Sequence, residues 1–183
     1  APLDVLRTTV SELGSVLGWA PTHDLDLDEV RRQTLVLGSV VPTLLAAAHR
    51  IGAWLEPVPP RTDLGHVANY LWMLTGAEPT PESARAVEQY MILTIDHGFN
   101  ASTFTARVIT STGADLAAAI CGAIGALSGP LHGGAPSRAL DMLDAIGEPE
   151  RAEAWIRDAV ASGERIMGFG HRVYKTDDPR SLF

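Results

Sequence analysis

The sequence predicts a mainly α-helical fold. Apolar residues recur every three or four positions through nearly the whole chain, which is the spacing of one face of a helix. No segment sustains the alternation of apolar and polar residues that a half-buried strand requires, and the one candidate strand is a short piece at Ile166–Phe169. Several prolines and glycines fall between the periodic segments, where they separate one helix from the next.

The first two helices follow from periodicity and capping. Asp26 or Asp28 can cap the second helix, which runs to about Gly52 and which Pro42 should kink or break. The first helix carries one apolar face, formed by Val5, Leu6, Val10, Leu13, Val16 and Leu17.

The middle of the chain predicts a loop and a short helix. The proline-rich segment Glu56–Arg61 cannot be helical and is a surface loop. Asp63 then starts a helix over Leu64–Leu74, and Gly76 closes it.

Five further helices complete the fold. Asn100 or Ser102 can cap the second of them, and Asp115 opens the third, whose many alanines and glycines allow another helix to approach closely. That partner belongs either to the same chain or to a second copy. The predicted helices are 82–95, with Val87, Met91 and Ile95 on one face, then 100–110, 115–127, 137–146 and 150–162.

Composition and charge exclude several classes of protein. Of the 183 residues, 46% are hydrophobic and 20% are charged, which is enough apolar material for a core and excludes a disordered chain. The 14 basic and 22 acidic residues give a formal charge of −8, which argues against a nucleic-acid partner. The single cysteine, Cys121, excludes an internal disulfide framework and a cysteine-based zinc site, and it fits a cytoplasmic protein.

The two longest apolar stretches, Leu35–Ala48 and Leu116–Leu127, are shorter than the roughly 20 residues of a membrane span. We interpret them as buried helices of a soluble protein. No membrane partner is therefore expected.

Three of the six histidines lie at predicted breaks between helices: His97, His132 and His171. All three stand beside a glycine, which lets the backbone approach a ligand closely. A break between helices also leaves backbone N–H groups able to bind anions. A single histidine is more often structural than catalytic, and we interpret three in that way: His23, His49 and His66.

The window 165–180 carries a local charge of +2, because it contains four basic residues and two acidic ones, Asp177 and Asp178. A solvated charged face is the default interpretation, but here the charges surround a Gly-x-Gly-His turn, which favours an anion site. No metal is expected, since the histidines lack the close spacing of a zinc helix. A serine-hydrolase elbow, Gly-x-Ser-x-Gly, is also missing from the sequence.

Several motifs together strongly resemble the citrate synthase family. They keep their order and spread over nearly the whole chain. They are Asp4–Arg7, Asn69–Gly76, Asp96-His97 followed by Asn100–Val108, Ser128–Ala135, and Gly168–Arg180.

The resemblance implies an all-α enzyme with a large and a small helical domain that close over the substrates. Residues 1–135 would be part of the large domain and residues 136–183 the start of the small one. Such enzymes are normally homodimers that condense an acyl-CoA with oxaloacetate and then hydrolyse the thioester, in the tricarboxylic acid cycle. No cofactor is implied, because the coenzyme A thioester is itself a substrate.

The resemblance also implies roles for individual residues. His132 and His171 would be catalytic: His132 would stabilise the enol of the thioester, and His171 would polarise the ketone of oxaloacetate. His97, Asn100 and Arg180 would bind oxaloacetate together with these two. The residues implied to lie along coenzyme A are Leu131, Gly133, Gly134, Ala135, Ile166, Met167, Gly168, Phe169 and Gly170.

The sequence departs from the family pattern in one important respect. The family's catalytic base is an aspartate well downstream of Arg180, and this chain ends at Phe183. Asp177 and Asp178 belong to a different motif. We therefore expect these residues to be the middle of a longer enzyme. Smaller departures are Ala1, Gly98 where glutamate is common, and the segment 136–138.

Three functions stay open from the sequence. The first is a citrate synthase acting on acetyl-CoA, and the second is a 2-methylcitrate synthase acting on propionyl-CoA. These substrates differ by one methylene, worth only about 1–3 kcal/mol in a pocket. The third is a non-catalytic fragment or relative that binds coenzyme A.

Overall fold

A computed structural model describes residues 2–169 and 175–182, with the side chains of residues 135–137, 181 and 182 left out. The described residues form eight α-helices and three short 3₁₀ turns, which confirms the predicted fold class. The helices are α1 (Pro2–Val16), α2 (Leu27–Gly52), α3 (His66–Thr75), α4 (Pro81–Thr94), α5 (Ala101–Thr110), α6 (Leu116–Leu127), α7 (Ala135–Ile146) and α8 (Ala152–Ala161).

The candidate strand at Ile166–Phe169 is wrong. Met167 and Gly168 form a turn instead, and Gly168 has a φ of 87°. A residue with this φ cannot continue an extended strand, so the pattern of apolar residues marks a turn here.

The chain divides into two compact units, Ala1–Ala126 and Leu127–Phe183. The first contains α1 to α5 and nearly all of α6, and the second contains α7 and α8. The predicted boundary between the family's two domains, at residues 135 and 136, stays a prediction.

The core of the first unit lies where α1, α2 and α6 meet. Its buried side chains are Leu6, Val10, Leu37, Ala117 and Ile124. Val10 is fully buried. Three residues of the face predicted for α1 lie outside this core. Because a helix has about 3.6 residues per turn, two of them lie at the edges of the face, and the third follows the end of the helix. They are Val5, Val16 and Leu17.

Helix α2 begins as predicted, with the Oδ1 atom of Asp26 accepting the N–H of Glu29 at 2.8 Å. It then runs unbroken through Pro42 to Gly52, so of the predicted kink or break the break is wrong. Contacts with α1 and α3 along its length stabilise the continuous helix. The apolar stretch predicted to be buried is partly so, since Leu37 and Ala46 are buried whereas Leu35 is 71% exposed.

Among the described residues, α2 is the one helix long and apolar enough to cross a membrane by length and composition alone. Core helices of soluble proteins often have the same properties. The expectation of no membrane partner stays a prediction.

Arg61, at the end of the proline-rich loop, contacts α3. Its guanidinium pairs with Asp63 and, at 2.6 Å, with Glu78, and it lies 5.4 Å from the ring centroid of Trp72. Because Asp63 is engaged by Arg61, it does not cap the helix, which starts two residues later than predicted, after Gly65. These acidic partners raise the pKa of Arg61 above its ordinary value.

The caps of the later helices match the sequence. The Oδ1 atom of Asp115 accepts the N–H of Ala118 at 2.9 Å, so Asp115 opens α6 as predicted. In the described part of the chain, the apolar face predicted for α4 is only partly covered: Val87 is half-buried, whereas Met91 is 40% and Ile95 is 86% exposed.

Candidate active site

His97 lies, half-buried, in the loop that joins α4 to α5. The carboxylate of Asp96 accepts the N–H of Gly98 at 2.9 Å, which closes a tight turn around the histidine. Gly98 has a φ of 58°, a region that glycine enters at little cost. The departure from the family's usual glutamate at this position therefore accompanies a turn that suits glycine.

Phe99 and Arg107 hold the other side of this loop. The Arg107 guanidinium carbon lies 4.7 Å from the centroid of the Phe99 ring, within the range of a cation–π contact. The sequence did not single out Arg107. Its signal in the sequence was its place within the motif segment Asn100–Val108.

Asn100 caps α5. Its Oδ1 atom accepts the N–H of Thr103 at 3.0 Å and the hydroxyl of Ser102 at 2.8 Å, and its Nδ2 atom donates to the Thr103 hydroxyl at 3.0 Å. The predicted cap is confirmed. Because both ends of the amide take part in the cap, the structure gives Asn100 a clear structural role, and its role toward oxaloacetate stays a prediction.

His132 lies in a turn built from backbone contacts. The carbonyl oxygen of Gly129 accepts the N–H of His132 at 3.0 Å and the N–H of Gly134 at 3.1 Å. Two N–H groups on one carbonyl wrap the backbone tightly around this point. The ring of His132 is half-buried, whereas the neighbouring Leu131 is 86% exposed.

Gly133 is required by packing. A Cβ atom added there would overlap the carbonyl oxygen and side chain of Leu127, which is closer than real Cβ atoms approach. At Gly134 an added Cβ would lie 3.1 Å from the carbonyl oxygen of Gly129. The paired glycines of the motif therefore permit the close turn that carries His132.

The second predicted coenzyme A segment is the turn at Met167–Gly168. Phe169 is 68% exposed and Ile166 is half-buried. An added Cβ at Gly168 would lie 3.9 Å from the Cβ of Ala139 in α7, so this turn lies beside the helix that follows the His132 turn. Three predicted site residues or their side chains lie outside the described part of the chain: Gly170, His171 and the side chain of Ala135.

Arg180 is paired with Asp178. Its Nε atom lies 3.0 Å from Oδ1 and its Nη2 atom 2.6 Å from Oδ2, which is a two-pronged contact. The backbone N–H of Arg180 also donates to Oδ1 at 2.9 Å. Both side chains are about 30% exposed, at 30% and 29%. The sequence assigned a role to Arg180 but none to Asp178.

The predicted residues divide between the two compact units. His97 and Asn100 belong to the first, whereas His132, the turn at Met167–Gly168 and Arg180 belong to the second. Whether these residues share one site therefore stays a prediction.

An open groove of about 590 Å³ lies between α5 and α6. Its walls are apolar side chains of α6, among them the small Ala119 and Ala123, and the hydroxyls and Arg107 of α5. None of the predicted site residues lines it. Within the described residues, no group of three or more His, Cys, Asp or Glu side chains is placed to hold a metal ion.

Known proteins match this chain over its whole length. The family model described as "Citrate synthase, C-terminal domain" matches residues 1–183. The crystal structure of citrate synthase from Thermotoga maritima covers 99% of this chain with a TM-score of 0.81 and 39% identity, and that from Pyrobaculum aerophilum covers 99% with a TM-score of 0.79 and 38% identity. The matched parts are 46% and 47% of those chains.

Sequence relatives agree with the structural ones. Citrate synthase 2 of Bacillus subtilis is 48% identical over 180 residues, which are 98% of this chain and 48% of that protein. A 2-methylcitrate synthase of Mycobacterium tuberculosis is 44% identical over 182 residues, 98% of this chain and 44% of that protein. The chain thus spans about half the length of the curated relatives that it matches.

The class of protein is settled by fold and motifs together: it is an all-α protein with the architecture of solved citrate synthases. Identity of this level over essentially all of the chain also fixes the family. The chain belongs to the citrate synthase family.

Proposed function

We propose that the protein containing this chain is a citrate synthase. It condenses acetyl-CoA with oxaloacetate through an enol or enolate and then hydrolyses the thioester to citrate and coenzyme A, a transferase reaction of the tricarboxylic acid cycle. The observation that carries the proposal is the match of the family model to residues 1–183, motifs of His97, His132 and Arg180 included.

The turn around His132 fits the first step. Removing a proton from the carbon beside a thioester puts negative charge on the thioester oxygen, and a fixed donor aimed at that oxygen lowers the barrier. An imidazole can be this donor while neutral if its other nitrogen has a partner. The Gly129 carbonyl and the close packing at Gly133 hold the His132 backbone in place, which favours a fixed donor.

The second substrate is proposed to bind through His97, Asn100, His171 and Arg180. A planar guanidinium grips a carboxylate with two parallel hydrogen bonds, which suits Arg180 to a dicarboxylic 2-oxo acid. His171 polarises the ketone, so that the enol carbon attacks it. Holding both reactants in register converts the step to an intramolecular one.

Coenzyme A is proposed to lie along the segments Leu131–Ala135 and Ile166–Gly170. Turns with glycine let the backbone approach a ligand closely. The exposed side chains of Leu131 and Phe169 supply apolar surface beside these turns. The base that this reaction needs is proposed to be the aspartate that the family carries well downstream of the Arg180 motif.

The test is release of coenzyme A thiol by the full-length protein that contains these 183 residues. We expect release with oxaloacetate and acetyl-CoA, and its loss in His132→Ala, while His66→Ala, at an exposed histidine that starts α3, keeps the activity. No release with either acyl-CoA, despite coenzyme A binding, would favour the non-catalytic alternative.

The choice of acyl group has a specific competitor, since one relative is a 2-methylcitrate synthase. Faster release from propionyl-CoA than from acetyl-CoA would make that the function. Equal rates would leave neither name preferred, because one methylene is worth only about 1–3 kcal/mol.

Three further properties are part of the proposal. The protein is a homodimer, which the small side chains and open groove between α5 and α6 support; sedimentation equilibrium measures this mass directly. It acts in the cytoplasm without a membrane or nucleic-acid partner, in line with its net charge of −8. It needs neither a cofactor nor a metal, so dialysis against a chelator should leave its activity unchanged.

A further inference from the structure

The carboxylate of Asp178 binds both the side chain and the backbone of Arg180. Its carboxylate contacts the Nε and Nη2 atoms of the guanidinium at 3.0 and 2.6 Å, and its Oδ1 atom also accepts the backbone N–H of Arg180 at 2.9 Å. The carboxylate is thus bound to both ends of the same residue. Pro179 stands between the two and fixes its own φ, so the local backbone favours this arrangement.

The pair determines the orientation of the guanidinium. Arginine is long and flexible, and a guanidinium that must bind a carboxylate in two prongs has to present its plane and edge correctly. A guanidinium has two forked edges, one formed by Nε and Nη2 and the other by Nη1 and Nη2. Asp178 contacts the first edge, so the second edge is held in a defined direction.

We infer that Asp178 is a positioning residue for oxaloacetate binding: it fixes Arg180 so that the Nη1 and Nη2 edge receives a carboxylate of the substrate. The inference rests on the proposed function. It adds Asp178, which has no role in the proposed chemistry, to the residues that determine affinity for the 2-oxo acid.

The alternative is that Asp178 competes with the substrate for Arg180. Under that view the substrate carboxylate takes the place of the Asp178 carboxylate. The structure favours positioning, because the hydrogen bond from the Arg180 backbone N–H to Oδ1 keeps the Asp178 carboxylate beside the guanidinium. The two views predict opposite changes in affinity when the charge of Asp178 is removed.

The experiment compares Asp178→Asn with Asp177→Asn in the full-length protein. The two variants lose the same charge at adjacent positions, but Asp177 is exposed. Asp178→Glu tests rescue by a second carboxylate. For each variant, kcat and KM for oxaloacetate come from thiol release, the oxaloacetate dissociation constant from calorimetry, and folding from the thermal midpoint.

We expect Asp178→Asn to raise KM and the dissociation constant for oxaloacetate about tenfold, the scale of a charge-assisted hydrogen bond. Asp177→Asn should leave both unchanged, and Asp178→Glu should recover part of the affinity. KM for the acyl-CoA and the thermal midpoint should stay at the wild-type values.

Several results would overturn the inference. Unchanged or tighter oxaloacetate binding in Asp178→Asn would exclude positioning, and tighter binding would establish competition. An equal effect in Asp177→Asn would show that only the net charge matters. A wild-type protein that neither binds oxaloacetate nor releases thiol would overturn the proposed function and this inference together, whereas a normal wild type with an unaffected Asp178→Asn would overturn the inference alone.

Discussion

Gly14 of α1 packs against Ala117 of α6 so closely that a Cβ atom added at Gly14 would lie 2.5 Å from the Cβ of Ala117. Both residues are buried, and Ala117 belongs to the core of the first unit. Close-packed interiors do not absorb even one extra methyl group without a shift of their neighbours. The contact therefore fixes the distance between the two helices.

Gly14→Ala is expected to lower the free energy of unfolding by about 1–3 kcal/mol, the usual effect of overpacking a core. Chemical denaturation of the full-length protein measures this. Gly38→Ala is the matched control, because Gly38 also lies inside a helix but an added Cβ there meets no atom within 4 Å. That variant should gain about 0.5–1 kcal/mol from the higher helix propensity of alanine.

A second substitution checks the cause. If the clash with Ala117 is responsible, Ala117→Gly in the Gly14→Ala background should recover a large part of the lost stability. Two single effects that simply add in the double variant would show that helix propensity, and not the contact, sets the stability at Gly14.

The sequence predicted the helices well because their start signals are local. Asp26, Asn100 and Asp115 each accept N–H groups in the first turn of the helix they precede, and only the neighbouring residues decide such a bond. Asp63 failed as a start signal because Arg61 and Glu78 form a charged cluster with it. Arg61 binds the Asp63 carboxylate, and its second partner, Glu78, lies far along the chain, so the sequence pattern did not show this cluster.

Burial was harder to predict than helix boundaries. Periodicity shows which residues share a face, but not whether another element covers that face. Leu35 and Ile95 lie in apolar patterns and are 71% and 86% exposed. The same holds for the candidate site. The turn motif of His132 was evident from the sequence, whereas the pairing of Arg180 with Asp178 is seen only in the structure.

The cap at Asn100 allows a structural role to be separated from a substrate role. Asn100→Ala removes the acceptor of the Thr103 N–H and should cost about 1 kcal/mol of stability. Asn100→Ser keeps a capping oxygen and should remain close to wild type in denaturation experiments. Both lose the amide, so both should raise KM for oxaloacetate if Asn100 binds it. A wild-type KM in Asn100→Ser would restrict the residue to capping.

Glu29 should make stability sensitive to acid. Hydrogen bonds from the side chains of Arg32 and Gln33 lower its pKa from 4.5 to about 2. A carboxylate whose pKa is lower in the folded state stabilises the fold fully above 4.5, and this contribution is lost as the pH falls through about 2. Glu29→Gln should therefore lose less stability than wild type over that interval.

Denaturation at a series of acidic pH values measures the difference. Glu82→Gln is the control, because Glu82 is an exposed glutamate in the first turn of another helix, α4. Parallel stability curves for wild type and Glu29→Gln between pH 4.5 and about 2 would contradict the assignment.

The turn at Gly133 gives the most direct test of the His132 assignment. Gly133→Ala puts a methyl group into the Leu127 carbonyl oxygen and side chain, so the turn must shift, and His132, the adjacent residue, shifts with it. Misplacement of a catalytic group by about 1 Å costs on the order of a hundredfold in rate. We expect kcat for thiol release to fall by about that factor.

The control for this variant is Gly163→Ala, at a glycine of the same unit where an added Cβ meets no atom within 4 Å. Gly163 has a φ of 76°, so alanine there strains the backbone and lowers stability without touching the His132 turn. A loss of stability in both variants with a loss of kcat only in Gly133→Ala would tie the rate to the position of His132. Equal losses of kcat would instead mean that general destabilisation of the unit sets the rate, and the catalytic assignment of His132 would then depend on the His132→Ala variant alone.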